Sequence, residues 1–408
     1  MTPGRSTDGK EGDAGHTGPS AVADVPLFTR AFVVTCLAAF FFYLSFYLIL
    51  PVMPLYVAAM GGTSVQIGLI IGLFAFTAMI LRPPAGWIID TRGHRLALIV
   101  GMGIFLLASL GYTLARSVEA VLVLRLFHGV GMGLFPTAAT VVIAEVAPPV
   151  RRGEAMGWFG IANSLGLIFG PAAGTAVSSA VGFPLLFLLA AGVASLGLAC
   201  ILVLPRIGRE LVRSTRAPRP QDFFCREAVL PSALLLFLYV PYGMIVAFIP
   251  ILGADRGLSN PGTFYTVFAL AVLAVRAKAG NLSDRRGRAS VIIPGMLIAG
   301  IGFVVLALTS GPMGMLIGAT GYGLGFGAVQ PALMALTADR VSPANRGKAM
   351  GTFYAAWELG IMAGSTGAGF LLRAGNFPSV LMACAFMLLA GAALSVRARA
   401  AAGPRVSV

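Results

Sequence analysis

Along most of the chain apolar residues run together for about twenty positions, then break at short clusters of arginine, glycine and proline. A helix crossing the hydrocarbon core of a bilayer needs about 20 mostly apolar residues. Twelve runs meet that length, beginning near Phe32, Val65, Leu96, Val118, Glu154, Pro184, Ala228, Thr263, Ala289, Pro312, Ala349 and Pro378. They predict an all-α integral membrane fold of twelve spans. Residues 1–27 are rich in Gly, Asp, Thr and Ser without periodicity, which predicts a disordered tail. They do not read as a signal peptide, because the first apolar run is too long and ends in Leu50-Pro51 without a small-residue cleavage site. Residues 205–227 carry Arg206, Arg209, Arg213, Arg216 and Arg219 with Pro218 and Pro220, and form the one internal stretch long and polar enough to link two domains. The predicted organisation is a six-helix bundle over 28–204, this linker, a second bundle over 228–396 and a short tail over 397–408.

The two halves repeat. Gly86-Trp-Ile-Ile-Asp90-Thr-Arg92-Gly93-His94-Arg95 recurs 194 positions later as Gly280-Asn-Leu-Ser-Asp284-Arg285-Arg286-Gly287-Arg288. The same shift, without a gap, maps Arg82 to Arg276, Gly129 to Gly323, Gly131 to Gly325, Glu145 to Asp339, Gly166 to Gly360 and Gly170 to Gly364. It also lays Arg152-Gly-Glu-Ala-Met-Gly157 on Arg346-Gly-Lys-Ala-Met-Gly351. This is an internal duplication. Six spans per half is an even number, so both halves share one orientation and are parallel repeats about an axis along the membrane normal.

Composition agrees with the pattern: 58% hydrophobic and 11% charged residues, with a mean hydropathy of +0.89, lie far from the soluble balance of about 25% charged. The formal charge of +14 would point to nucleic acid in a soluble protein. Here 25 of the 29 Lys and Arg fall in or beside loops on one side if both termini are cytoplasmic; Arg116, Arg256 and Arg373 fall outside and Arg125 lies within a span. That asymmetry is the positive-inside rule and predicts cytoplasmic termini in a plasma-membrane protein. Cys36, Cys200, Cys225 and Cys384 are scattered with no CxxC or Cys/His cluster, so neither a disulfide framework nor a metal site is expected, and no cofactor.

The duplicated loop carries candidate chemistry. A carboxylate at a helix end, beside a turn glycine and several arginines, can accept ion pairs or face the positive N-terminus of another helix. Gly86, Asp90, Arg92, Gly93 and Arg95, and Gly280, Asp284, Arg285, Gly287 and Arg288, resemble the Gly-x-x-x-Asp-Arg-x-Gly-Arg-Arg loop signature of the major facilitator superfamily, and the resemblance covers about residues 30–396. The resemblance implies a cytoplasmic gate, with Asp90 at the start of span 11 near Ala349 and Asp284 at the start of span 5 near Ala155. Thr91 stands where the signature has Arg. Glu145, Arg152, Asp339 and Arg346 at the same membrane face, with Arg82 and Arg276, are expected to belong to that gate.

Inside the spans, charge is costly and usually faces a cavity or a partner, about 2.5 to 3.5 kcal/mol at the least near the centre. Arg125 and His128 lie one turn apart in span 4. Arg125 either snorkels to the outer interface or faces a cavity. Arg125 to Gly133 resembles the superfamily's Arg-x-x-Gln-Gly-x-Gly motif, which implies a role in proton coupling, with His128 in place of Gln. Glu358 in span 11 is the one acid placed near mid-membrane, and an isolated carboxylate there could exchange protons. Tyr43, Tyr47, Tyr239, Tyr242, Tyr354 and Trp357 either face lipid or form the apolar wall of a solute cavity. Gly166, Gly170, Pro171 and Gly174 put small residues on one stripe of span 5, for close packing, with a proline kink. They also resemble the Gly-Pro-x-x-Gly motif of the superfamily's antiporters. The acid that many drug/proton antiporters carry in span 1 is absent.

These features predict a secondary transporter that exports a small apolar or amphiphilic solute by exchange for protons, with spans 1, 4, 7 and 10 lining the pore as the resemblance implies. The alternative is a proton-coupled importer of a sugar or organic acid. Expected partners are the solute, protons and the bilayer, with no nucleic acid, and a monomer as the working unit. No HExxH, no Gly-x-Ser-x-Gly and no paired intramembrane carboxylates point to an enzyme. A sensor that binds without transporting would share the scaffold.

Overall fold

The computed structural model describes residues 26–148, 151–205, 224–342 and 345–401. The predicted tails 1–27 and 397–408 and linker 205–227 therefore lie largely outside the described residues, and the side chains of Asp90 and Arg346 lie wholly outside them.

The described residues form thirteen α-helices: α1 (Arg30–Ile49), α2 (Val52–Ala59), α3 (Ser64–Arg92), α4 (His94–Leu114), α5 (Val118–Val146), α6 (Arg152–Val181), α7 (Phe183–Leu202), α8 (Val229–Asp255), α9 (Thr263–Arg286), α10 (Ala289–Leu308), α11 (Pro312–Asp339), α12 (Arg346–Ala374) and α13 (Phe377–Ala401). Every span predicted from the pattern is present, starting within three residues of its expected position. Span 1 is interrupted at Leu50-Pro51, where Pro51 has no N–H to give, so α1 and α2 make one crossing. Among the described residues, ten crossings are long and apolar enough on composition alone. α11 and α12 are as long, 28 and 29 residues, but are diluted by glycine and by charges such as Lys348, Glu358 and Arg373. Gly93 and Gly287, both at the duplicated loop, hold φ of 87° and 84°, a region that L side chains rarely adopt, which fixes the turns into α4 and α10.

α1–α7 pack into one bundle and α8–α13 into the other. The duplication holds at the level of contacts. A Cβ on Gly129 would collide with the Phe74 carbonyl, and one on its repeat mate Gly323 with the carbonyl of Phe268, the mate of Phe74. Likewise Gly166, Gly170 and Gly174 lie against the α1 backbone at Tyr43, Tyr47 and Leu48.

The bundles meet chiefly along two crossings that are repeat mates, α3 with α12 and α9 with α6. Gly68 lies against the Ser365 carbonyl, and its mate Gly262 against the carbonyl of Pro171. Both contacts are near the end of the molecule opposite the termini. Gly86 and Gly280 sit eighteen residues further along α3 and α9, about five helical turns, and so on the same faces. A Cβ on either meets nothing within 4 Å, and the same is true of Gly153, which shares a face with Pro171. The halves are closed against each other at the far end and diverge at the end carrying the termini.

Candidate functional site

Where the closed and open regions meet, the halves are joined by charge. Arg82 on α3 donates from a terminal nitrogen to Glu358 Oε1 on α12 at 2.5 Å, with the carboxylate side chain only 6% exposed and the guanidinium 25%. Each residue is about 15 to 18 Å from the terminal end of its helix at 1.5 Å per residue. The helices can approach so closely because Gly68 and Gly72 face Ser365 and Thr366 just above. Tyr354, one turn before Glu358, places its ring 5.5 Å from the Arg82 guanidinium carbon. The sequence separated these residues, assigning Arg82 to the terminal-end gate and Glu358 to an isolated carboxylate. The structure corrects both: they form one ion pair between the bundles.

An aromatic wall continues from the pair. Trp357 stands 5.9 Å from Tyr354 and 4.5 Å from Tyr239, and Tyr242 packs on Tyr239 and Phe326 at 5.7 and 5.3 Å between centroids. From the first bundle, Tyr47 donates to Asn163 Oδ1 at 3.0 Å and lies within electrostatic reach of Tyr242. Tyr43 lies within the same reach of Arg82 and Tyr354. All six aromatics singled out in the sequence thus gather where the two halves face each other. On the far side of the wall, Arg276, the mate of Arg82, donates to Gln330 Oε1 at 3.3 Å and lies near Tyr239. Among the described residues it has no acidic partner. The Tyr239 hydroxyl is buried and unbonded.

Arg125 and His128 are elsewhere. Both are fully buried, so Arg125 does not snorkel to an interface. Nor do they face the aromatic wall: Arg125 rests on the rings of Phe74 and Tyr112 at 5.2 and 5.9 Å. His128 Nδ1 is 3.1 Å from the Tyr112 hydroxyl, and its ring packs on Phe105 at 4.1 Å. The cause is local. Gly129, Gly131 and Gly133 draw α5 against α3 and α4, which traps the preceding turn inside the first bundle. Span 4 therefore contributes neither residue to the wall.

At the far end the Gly166-to-Gly174 segment of α6 builds a polar seam with α9. Asn260 Nδ2 donates to the Ala172 carbonyl at 3.0 Å, Thr266 donates to Ile168 at 2.8 Å, and Thr175 bonds Asn260. At the mated crossing, Ser64 donates to the Gly369 carbonyl at 3.0 Å.

At the terminal end each bundle ties its own helices. Arg288 bonds Asp284 on α9 and Asp339 on α11, the latter at 2.8 Å, and reaches Ser283 at 3.2 Å. The hydrogen bond to Asp339 is the main reason its pKa stands above the ordinary arginine value. In the first bundle the mate of Arg288 is His94, whose Nδ1 is 3.7 Å from Glu145. Arg95 donates to the Leu202 and Leu204 carbonyls at 2.9 and 3.1 Å, satisfying the end of α7. Arg152 donates to Ala144 at 3.2 Å, not to Glu145. Arg92 and Arg285 are exposed. The expected contact of Asp284 with the start of α6 is not made, because the halves diverge here; Ala155 packs instead on Leu27, Phe32 and Ile143 of its own bundle.

Sequence reasoning missed Gln330, Asn163, Tyr112 and the Asn260–Thr175 seam. Gln330 and Asn163 were open to detection as amides inside apolar runs. Asn260 was not, because it sits in a loop and acts through its neighbour across the bundle boundary.

Comparison with known proteins gives a consistent picture. The family model described as Major Facilitator Superfamily matches residues 35–277 and 242–407. An uncharacterised MFS-type transporter of Burkholderia mallei is 28% identical over 368 residues, 87% of this chain and 89% of its own length. Another from Methanocaldococcus jannaschii is 25% identical over 333 residues, 79% and 86%. Among solved structures, a peptide transporter POT in complex with sulfate superposes with a TM-score of 0.78 at 14% identity, covering 94% of this chain and 98% of that one. A POT family transporter in complex with a thioalcohol-conjugated peptide gives 0.77 at 15%, covering 92% and 97%.

Proposed function

The chain belongs to the major facilitator superfamily, a multi-pass membrane transporter rather than an enzyme, and from that premise we propose that it exports a small amphiphilic or apolar solute across the plasma membrane in exchange for protons. Its termini and the gate loops Gly86 to Arg95 and Gly280 to Arg288 lie in the cytoplasm, as the distribution of arginine supports. The form described above is then inward-open, closed to the outside by the α3–α12 and α6–α9 crossings.

The observation that carries the reading is the Arg82–Glu358 pair. It is the direct charged link between the bundles among the described residues, and it lies beside the aromatic wall that a flat apolar solute would contact. A proton on Glu358 removes the negative charge and leaves Arg82 without its partner. Breaking a largely buried pair costs about 3 to 5 kcal/mol. Reversing a two-state population from 1:99 to 99:1 takes about 5.5 kcal/mol, so protonation of one carboxylate is of the right size to release the inward-open form. Gate contacts of Asp284 with the opposite bundle belong to the other form, when the cytoplasmic ends come together. The glycine-proline stripe of α6 forms part of the outer closure, and Arg125 with His128 acts through the shape of the first bundle.

The test is solute flux in proteoliposomes with an imposed pH gradient, across a panel of amphiphilic compounds, for the wild type and Glu358→Gln. Uphill solute movement opposite to proton flow, lost in the variant, is the expected result. Movement in the same direction as protons would make the protein an importer.

A further inference from the structure

The duplication predicts two equivalent mid-membrane sites, and the chain fills only one of them. Arg82 and Arg276 are mates, but their surroundings are not. Opposite Arg82, α12 supplies Glu358 and Tyr354. The residues of α6 at the mated positions, 194 earlier, are Ser164 and Gly160. Neither brings charge, and a Cβ on Gly160 meets nothing within 4 Å. The second site therefore keeps the cation and replaces the carboxylate and ring with a small hydroxyl and open space.

An arginine midway along a spanning helix is costly without a counter-charge. Arg276 is exposed, bonded only to the neutral Gln330. The nearby Tyr239 hydroxyl, on a fully buried side chain, has no partner. Tyr239 in turn packs on Trp357 at the end of the aromatic wall. An exposed cation without a counter-charge thus lies beside the buried Tyr239, whose ring packs on the half-buried Trp357.

We infer that the transported solute carries an anionic group that docks on Arg276, supplying in the second half the negative charge that Glu358 supplies in the first, while its apolar body lies toward the half-buried Trp357. This rests on the transport reading and narrows it to amphiphilic carboxylates and similar organic anions. It also accounts for an arginine at both mated positions when an acid faces only one of them.

The experiment uses three probes with one ring system and different charge: 2-naphthoate, 2-naphthalenemethanol and 2-naphthylmethylammonium. Their affinities are measured by calorimetry on the purified full chain, at equilibrium and without a gradient, for the wild type, Arg276→Gln and Arg276→Lys. The naphthoate is expected to bind at least about tenfold more tightly than the other two. Arg276→Gln removes that margin and leaves the alcohol's affinity unchanged, and Arg276→Lys keeps part of it. Equal or tighter binding of the ammonium or alcohol overturns the inference, as does a uniform loss of all three in Arg276→Gln or no binding of naphthoate. None of these outcomes depends on coupling to protons, which stands or falls on the flux of Glu358→Gln.

Discussion

The two crossings that hold the bundles together began as copies and now differ in kind. At the α3–α12 crossing the charged link Arg82–Glu358 lies below a close glycine contact and one hydrogen bond from Ser64. The α6–α9 crossing has no ion pair among the described residues, but Asn260, Thr175 and Thr266 knit the helix backbones together. Both use a glycine at the same repeat position, Gly68 and Gly262, to bring the helices together. The difference teaches a division of labour: close approach at the far end is common to both halves, whereas the ion pair belongs to one crossing and the neutral seam to the other.

Several substitutions would break or sharpen that division, and the largest effect should come from the ion pair. Arg82→Gln leaves a nearly buried carboxylate unpaired, a loss of about 3 to 5 kcal/mol, and coupled flux in proteoliposomes should fall at least about a hundredfold. Exchanging the charges in Arg82→Glu with Glu358→Arg should recover a measurable part of it. Next come the glycines. Gly68→Leu or Gly262→Leu forces a side chain into a backbone contact, worth about 1 to 3 kcal/mol against the closed far end. Thiol accessibility at that end should rise in both variants to a similar extent. Asn260→Ala removes hydrogen bonds worth about 1 kcal/mol each and should open the far end more than Ser64→Ala does, with the Arg82–Glu358 pair untouched in both. The smallest effect is expected at the terminal end. Arg288→Gln breaks exposed pairs worth about 0 to 1 kcal/mol, which a melting curve will barely register.

Chemical labelling offers a check on the edge of the second bundle. Cys225 is buried, its backbone N–H donates to Thr352 on α12 at 2.9 Å, and its thiol donates to Glu227. Burial, then the Glu227 bond, pushes the thiol's pKa above the ordinary value. A raised value means less thiolate at pH 8, so maleimide should react more slowly than with a free cysteine and catch up only as pH rises further.

The fold was legible because lipid demands it: long apolar runs and glycine-marked turns such as Gly93 and Gly287 leave few other solutions. The duplication went further and anticipated which contacts recur, as Gly129 on Phe74 and Gly323 on Phe268 show. The aromatics were recognised as a set, although the sequence left open whether they faced lipid. What escaped was pairing. Arg82 and Glu358 lie 276 positions apart, and no period or motif ties one to the other. Arg125 was misplaced for a related reason: which face of α5 it occupies was clear, but which helices that face meets depends on Gly129 to Gly133 packing against α3 and α4. Distance along the chain carried the fold, while the site arose from how the two copies came to face each other.

The central claim is that the charge on Glu358 holds the bundles in the inward-open form. Its most direct test is the distance between spin labels on the two bundles at the cytoplasmic end, placed at the exposed positions Leu202 and Ser342 in a chain with Cys36, Cys200, Cys225 and Cys384 replaced. The account predicts that the wild type shifts from a long to a short distance as pH falls, and that Glu358→Gln, which mimics the protonated group, shows the short distance at every pH. A Glu358→Gln distribution with the long distance and the pH response of the wild type would contradict it.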